Sequence, residues 1–303
     1  MNYPLVVAAS LASTVFFAVS TVLKHHGARR LPSAPGGMAV RARRFVASTL
    51  TDRWWLGGMA ADAGGLGLQA YALHIGAVSI VQPLLVTALL TSLVISHLSS
   101  GTRITRQELR LGALLVAALV GFLAISGASS PAHHQQAPDR GAAVISGSLA
   151  VAVALMCVAM ARRVPSDRRA ALLGVAVGTL YAFTAVLIKA TTAVLADKGL
   201  QAMLTSWQLL ALLACGAVGL LLAQLAFRAG PLNTSLPVIA TIDPLLSVAL
   251  GVAVYDEQLR TGPAAVAAQT VLLIALAVAV TKLSRLNAAG EGRVVAPPPT
   301  AAT

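Results

Sequence analysis

The stretch LNTSLPVIATIDPLLSVALGVAV (232–254) decides how this chain is read. It is an apolar run of span length, yet it carries Asp243 directly before Pro244 near its middle, with a second proline at Pro237. A run of about 18 or more apolar residues is long enough to cross the roughly 30 Å hydrocarbon core as a helix. At 1.5 Å per residue, Asp243 lies about 16 Å beyond Leu232, close to the bilayer midplane. A carboxylate at that depth costs on the order of 2.5–3.5 kcal/mol on the insertion scale. Such residues face a cavity or a partner and mark substrate or proton paths. Pro244 removes the N–H that would bond the Ala240 carbonyl, and Pro237 frees that of Asn233. Freed carbonyls beside an acid suit a cation or a protonatable gate.

The rest of the chain has the same character. It is 57% hydrophobic and 11% charged, with a mean hydropathy of +0.81, where soluble domains carry about a quarter charged residues. Nine candidate spans follow, at about 3–23, 54–74, 76–98, 109–127, 141–161, 170–195, 206–227, 232–254 and 263–283. The expected fold class is an all-α polytopic membrane protein. Residues 1–286 would form one transmembrane domain, and 287–303 a disordered cytoplasmic tail. No positive charge precedes the first apolar run, so a cleavable signal is not expected.

With the N-terminus outside, 18 of the 22 Lys and Arg residues fall on the cytoplasmic side. Arg140, Lys198 and Arg260 fall outside and Lys189 falls within a span. That asymmetry fixes orientation, and it accounts for a net charge of +12 without nucleic acid. In the longest cytoplasmic loop, 38–50 reads either as a short basic helix on the inner leaflet or as an unstructured loop. Arg outnumbers Lys 18 to 4 in an alanine-rich chain, pointing to a GC-rich bacterial genome and hence a bacterial plasma (inner) membrane.

Sliding 54–94 onto 208–248 aligns Gly76 with Gly230 and Pro83 with Pro237, so a seven-residue Gly-to-Pro spacing recurs in each half. The two copies run in opposite directions across the membrane. This is the inverted repeat of many secondary transporters, here with halves at about 1–127 and 141–283. Pro83, Pro237 and Pro244, with the turns at Gly76 and Gly230, are the expected helix-bending positions.

These patterns resemble the drug/metabolite transporter superfamily, EamA-like. They are similar more narrowly to its NIPA-type magnesium transporter branch. The resemblance rests on VLKHHG (22–27), WWLGG (54–58), AYALHIGAVSIVQPL (70–84), AFRAGPLNTSLPV (226–238) and LGVAVYDEQL (250–259). It implies a bundle of inverted-repeat helices, with magnesium or another small solute as substrate. The segment before Pro83 departs from the branch in its spacing.

The candidate pathway residues are Asp243, Asp62, Lys189, Gln69, Gln82 and Gln224. Asp62, flanked by small residues in GGMAADAGGLG (57–67), reads either as a pathway acid or as a structural hydrogen-bonder. Lys189 either snorkels to the surface or pairs with Asp243. Asp243 and Asp62 would be metal ligands only in a divalent-cation transporter. Asp256–Glu257, at the external end of span eight, reads either as an electrostatic attractor of cations or, by default, as a solvated acidic turn. The paired histidines at 25–26 and 133–134 lack metal-ligand spacing. Cys157 and Cys215 read as packing residues. No HExxH, Walker or GxSxG pattern is present, so neither an enzyme nor a cofactor is expected, and uphill transport would need an ion or proton gradient. The cavity is expected between spans two, three, seven and eight. A magnesium permease and a non-transporting scaffold or lipid-binding partner stand as alternatives. The sequence does not fix the oligomeric state, with a homodimer as one option.

Overall fold

Among the described residues of the computed structural model of the chain, every regular element is a helix. The structure describes residues 3–30, 52–100, 104–127, 140–229 and 232–295. The helices are α1 (Tyr3–Arg30), α2 (Arg53–Ile75), α3 (Val78–Leu85), α4 (Ala88–Ser100) and α5 (Arg106–Ser126). They continue with α6 (Arg140–Ala161), α7 (Ser166–Leu204), α8 (Trp207–Ala229), α9 (Leu232–Tyr255) and α10 (Pro263–Val295). Hydrocarbon offers the backbone no partners, so each chain segment bonds to itself as a helix.

Among the described residues, eight segments are long and apolar enough to cross a membrane, with α3 and α4 counting as one through Val78–Ile95. The protein is therefore a multi-pass helical membrane protein. The helix α2 has span length at 23 residues, but its glycines, Asp62 and Arg53 set it apart, and it is not among the eight. Helix α10 runs on to Val295, nine residues into the stretch read as a disordered tail, and 296–303 lie outside the described residues. So do most of the basic loop, with its 38–50 segment, and His133–His134.

Helix ends are fixed by local chemistry. Asp52 Oδ1 accepts from the Trp55 N–H at 2.8 Å and starts α2. Thr105 and Glu108 form a reciprocal capping box at the start of α5, satisfying two otherwise orphaned donors. The segment carrying Pro83 is broken at Val86–Thr87, where tight turns replace the helix and the Thr87 hydroxyl donates to the Leu84 carbonyl at 2.7 Å. By contrast, α9 holds both Pro237 and Pro244 within one helix, and the Thr241 hydroxyl donates to the Pro237 carbonyl at 2.7 Å.

The helix α1 packs on α2, and α7 packs on α8. At the centre, α9 packs on α7, α10 and α3, while α5 pairs with α10 and α6 lies on α7. The α7–α9 crossing depends on two glycines one turn apart. A Cβ at Gly178 would lie 2.8 Å from Ile242 Cβ, and one at Gly174 would lie 3.1 Å from the Ser235 carbonyl oxygen. Small residues at that spacing let helix backbones approach closely in a membrane. This contact sets the position of Asp243 against α7.

Candidate functional site

A cavity of about 660 Å³ lies between the two halves of the chain. Its polar groups are Gln69 on α2, Gln82 on α3, Tyr181 and Thr184 on α7, and Asp243 on α9. Leucines and other apolar side chains from α2, α3, α4 and α8, with Phe17 from α1, make up the remaining wall. Asp243 sits midway along the 24-residue α9. Ser247, one turn on, is fully buried and donates its hydroxyl to Asp243 Oδ1 at 3.2 Å. Pro244 and Ala240 line the same wall. Because Pro244 has no N–H, the Ala240 carbonyl loses its helical donor and remains an acceptor beside the carboxylate.

A second polar cluster closes one end of the bundle, where α9 finishes and α3 begins. Past Tyr255 the chain turns at Asp256, whose φ of 47° is left-handed, a region Asp enters more readily than most residues. The turn aims Glu257 back inward, where its side chain is wholly buried. Its Oε1 accepts from the Val78 N–H at 2.6 Å and its Oε2 from the Ser79 N–H at 2.9 Å. Both N–H groups belong to the first turn of α3, where orphan donors and the helix dipole favour an anion. Lys189 Nζ of α7 donates to Oε1 at 2.9 Å and sits 4.5 Å from the centre of the Tyr255 ring. The Tyr255 hydroxyl donates to the Val186 carbonyl at 2.8 Å. A buried ion pair is tolerated only when the remaining valences are met, and here two amides, an aromatic face and a helix N-terminus meet them. Gly251 makes room, because a Cβ there would collide with Glu257 Oε2.

Several expectations change. Lys189 neither snorkels nor pairs with Asp243: it is 4% exposed and bound to Glu257. Glu257 is not part of a solvated turn, although its neighbour Asp256 is exposed. Position along the chain suggested Asp243 as the partner for Lys189, but tertiary packing brings the residue beyond the end of α9 to it instead. Gln69 and Gln82 do reach the cavity. Gln224 lies on an exposed face of α8 and is absent from the cavity wall, as is Asp62. The proposed metal pair thus does not share that wall. Among the described residues no group of three or more His, Cys, Asp and Glu side chains gathers as a metal site. Gly76 joins α2 to α3 in an extended conformation; Gly230 lies outside the described residues. Cys157 and Cys215 are free thiols. Reading the sequence missed Tyr181, Thr184, Tyr255 and Glu257. For Glu257 a signal existed, since a lysine within a span needs a counter-charge and an acid stood just past the next-but-one span.

No described protein-family profile matches the chain, and no solved structure matches it. It is 28% identical over 283 residues to an uncharacterized protein of Corynebacterium glutamicum, an alignment covering 93% of this chain and 96% of that one.

Proposed function

We propose that this protein is a secondary transporter of the drug/metabolite transporter superfamily, moving a small solute or cation by alternating access in a bacterial plasma membrane. In this reading α2 is the ninth span, the N-terminus is outside, and the halves are inverted repeats. The helix pairing supports the repeat: α1 meets α2 as α7 meets α8, α3 meets α9 at the centre, α5 meets α10, and α6, which lies on α7, is the added helix without a counterpart in the first half.

The observation that carries the proposal is the cavity between the halves with Asp243 on its wall. In this reading one side of it is sealed by the Lys189–Glu257 pair, whose lysine follows the wall residue Ile188 in the chain. The seal ties α7 and the end of α9 to the first turn of α3, which joins the second half to the first. Under the proposed orientation this is the external side, so the conformation is closed outward. Opening would part α3 from α7 and α9 and admit water to both charges. An ion pair in low dielectric gives up much of its attraction to desolvation, and hydration on opening returns that cost. The closed and open states therefore stay near in free energy, as a rocking transporter needs.

Proteoliposomes with a trapped pH dye, challenged with Mg²⁺, organic cations and uncharged metabolites with and without a proton gradient, test this reading. Protein-dependent flux that Asp243→Asn abolishes is the expected result. No protein-dependent flux for any member would favour the non-transporting scaffold.

A further inference from the structure

The groups around Glu257 make an anion site whose occupant is part of the chain. Two of its three parties stand on helices. Lys189 lies within α7, and the Val78 and Ser79 N–H groups open the eight-residue α3. Ala77, at the N-cap of α3, offers no side-chain acceptor, so these donors depend on a group from elsewhere. Adjacent N–H groups at a helix start bind carboxylates and oxyanions, because the donors are orphaned and the dipole favours negative charge. Lys189 adds a full positive charge in a buried setting. The Ser79 hydroxyl is wholly buried and three bonds from the amide nitrogen that holds Oε2. It has no hydrogen-bond partner among the described residues, so the pocket keeps a donor that Glu257 leaves unused.

The third party stands on no helix. Glu257 belongs to the irregular stretch 256–262 between α9 and α10. That stretch is tied down by the Glu257 N–H, which donates to the Gly251 carbonyl at 3.3 Å, and by the Arg260 N–H, which donates to the Ser126 carbonyl at 2.7 Å. Asp256, Gln258 and Arg260 are exposed, so the stretch lies at the surface of the bundle. Lifting it withdraws the carboxylate without unwinding α3 or α7. The donors then stay behind, and buried donors left without an acceptor are unfavourable.

We propose that this is a second binding site, for a small carboxylate from the external aqueous phase, which replaces the Glu257 carboxylate between Lys189 and α3 and holds 256–262 away from the bundle. Two oxygens spaced as in Glu257 meet both N–H groups, so a monocarboxylate fits, whereas a monatomic anion such as chloride leaves a donor unmet. The site itself does not depend on transport. That the anion arrives from outside, and there favours the outward-open conformation, rests on the transporter reading.

In the parent protein Glu257 competes with any added anion at a high effective concentration, so the site is tested first with that competitor removed. Full-length Glu257→Ala in mixed micelles, with sodium formate as the probe, should gain about 2–4 °C in Tm, saturably, once formate exceeds its Kd severalfold. Sodium chloride at equal ionic strength, and formamide as the neutral isostere, should give no such shift. Glu257→Gln, whose amide fills the pocket, and Lys189→Met/Glu257→Ala, which lacks the ammonium, should respond to formate far less. An equal shift from chloride or formamide, or an equal formate shift in the double variant, overturns the assignment. The parent protein in nanodiscs supplies a readout free of a destabilised variant, and it decides alone where Glu257→Ala does not accumulate. Hydrogen–deuterium exchange in the peptide covering 256–262 should rise severalfold in high formate and not in chloride, as the Glu257 and Arg260 N–H groups lose their partners. Parent exchange indifferent to formate overturns displacement in the intact protein. Absence of protein-dependent flux in proteoliposomes would remove the transporter reading while both formate effects stand. Flux intact with neither formate effect would remove this inference alone.

Discussion

Replacing either member of the buried pair should destabilise the protein far more than replacing both. In Glu257→Gln, Lys189 keeps its charge at a site 4% exposed and loses its counter-ion, while the Val78 and Ser79 N–H groups lose a carboxylate acceptor. Removing one partner of a buried ion pair costs about 3–5 kcal/mol. Lys189→Met should fall near the lower end of that range, because two amides still hold Glu257. In the double variant Lys189→Met/Glu257→Gln no charge remains, and the amide oxygen can accept from α3. Apolar or neutral replacements of such pairs are often near neutral, so the double variant should lie within about 2 kcal/mol of the parent. The swap Lys189→Glu/Glu257→Lys should not rescue, since it sets an ammonium against the N–H groups of a helix N-terminus. Reversible unfolding in mixed micelles, followed by far-ultraviolet circular dichroism, gives the double-mutant cycle. Strictly additive losses, or single variants within about 1 kcal/mol of the parent, would refute the argument that the pair is desolvated and mutually dependent.

Other outcomes follow from the packing. Gly178→Val adds atoms where Ile242 Cβ would be only 2.8 Å from a Cβ, so it should push α7 from α9 and lower stability by about 1–3 kcal/mol, read in the same micelle assay. Gly251→Ala should displace the Glu257 carboxylate and cost less in a Glu257→Gln background than in the parent, since the two changes disturb one contact. Thr105→Ala removes the cap of α5 and should cost about 1 kcal/mol, visible as lower helix content on heating. Gln224→Ala, on an exposed face of α8, should change stability by no more than about 0.5 kcal/mol and leave binding to the cavity unchanged.

Much of this architecture was legible without coordinates, because hydrocarbon imposes a strict rule on any segment crossing it. An apolar run such as 141–161 must satisfy its backbone internally, so its helix follows from composition and length, and α6 does run from Arg140 to Ala161. The same rule made Asp243 conspicuous, since a carboxylate amid 232–254 needs a physical reason. Depth along a helix is a one-dimensional property, and sequence supplies it. Rotation about the helix axis and the choice of neighbour are not. Asp62 and Gln224 lie within their helices as their positions foretold, but their faces turn away from the cavity wall, and only packing settles that. Lys189 and Glu257 are 68 positions apart and meet because glycines draw α7 against α9 and a left-handed turn at Asp256 sends the chain back into the bundle. The sequence by itself determined which segments enter the membrane and which side chains are costly there. Only the tertiary structure decided which of those side chains meet, because a buried charge takes the partner that packing brings within hydrogen-bonding distance.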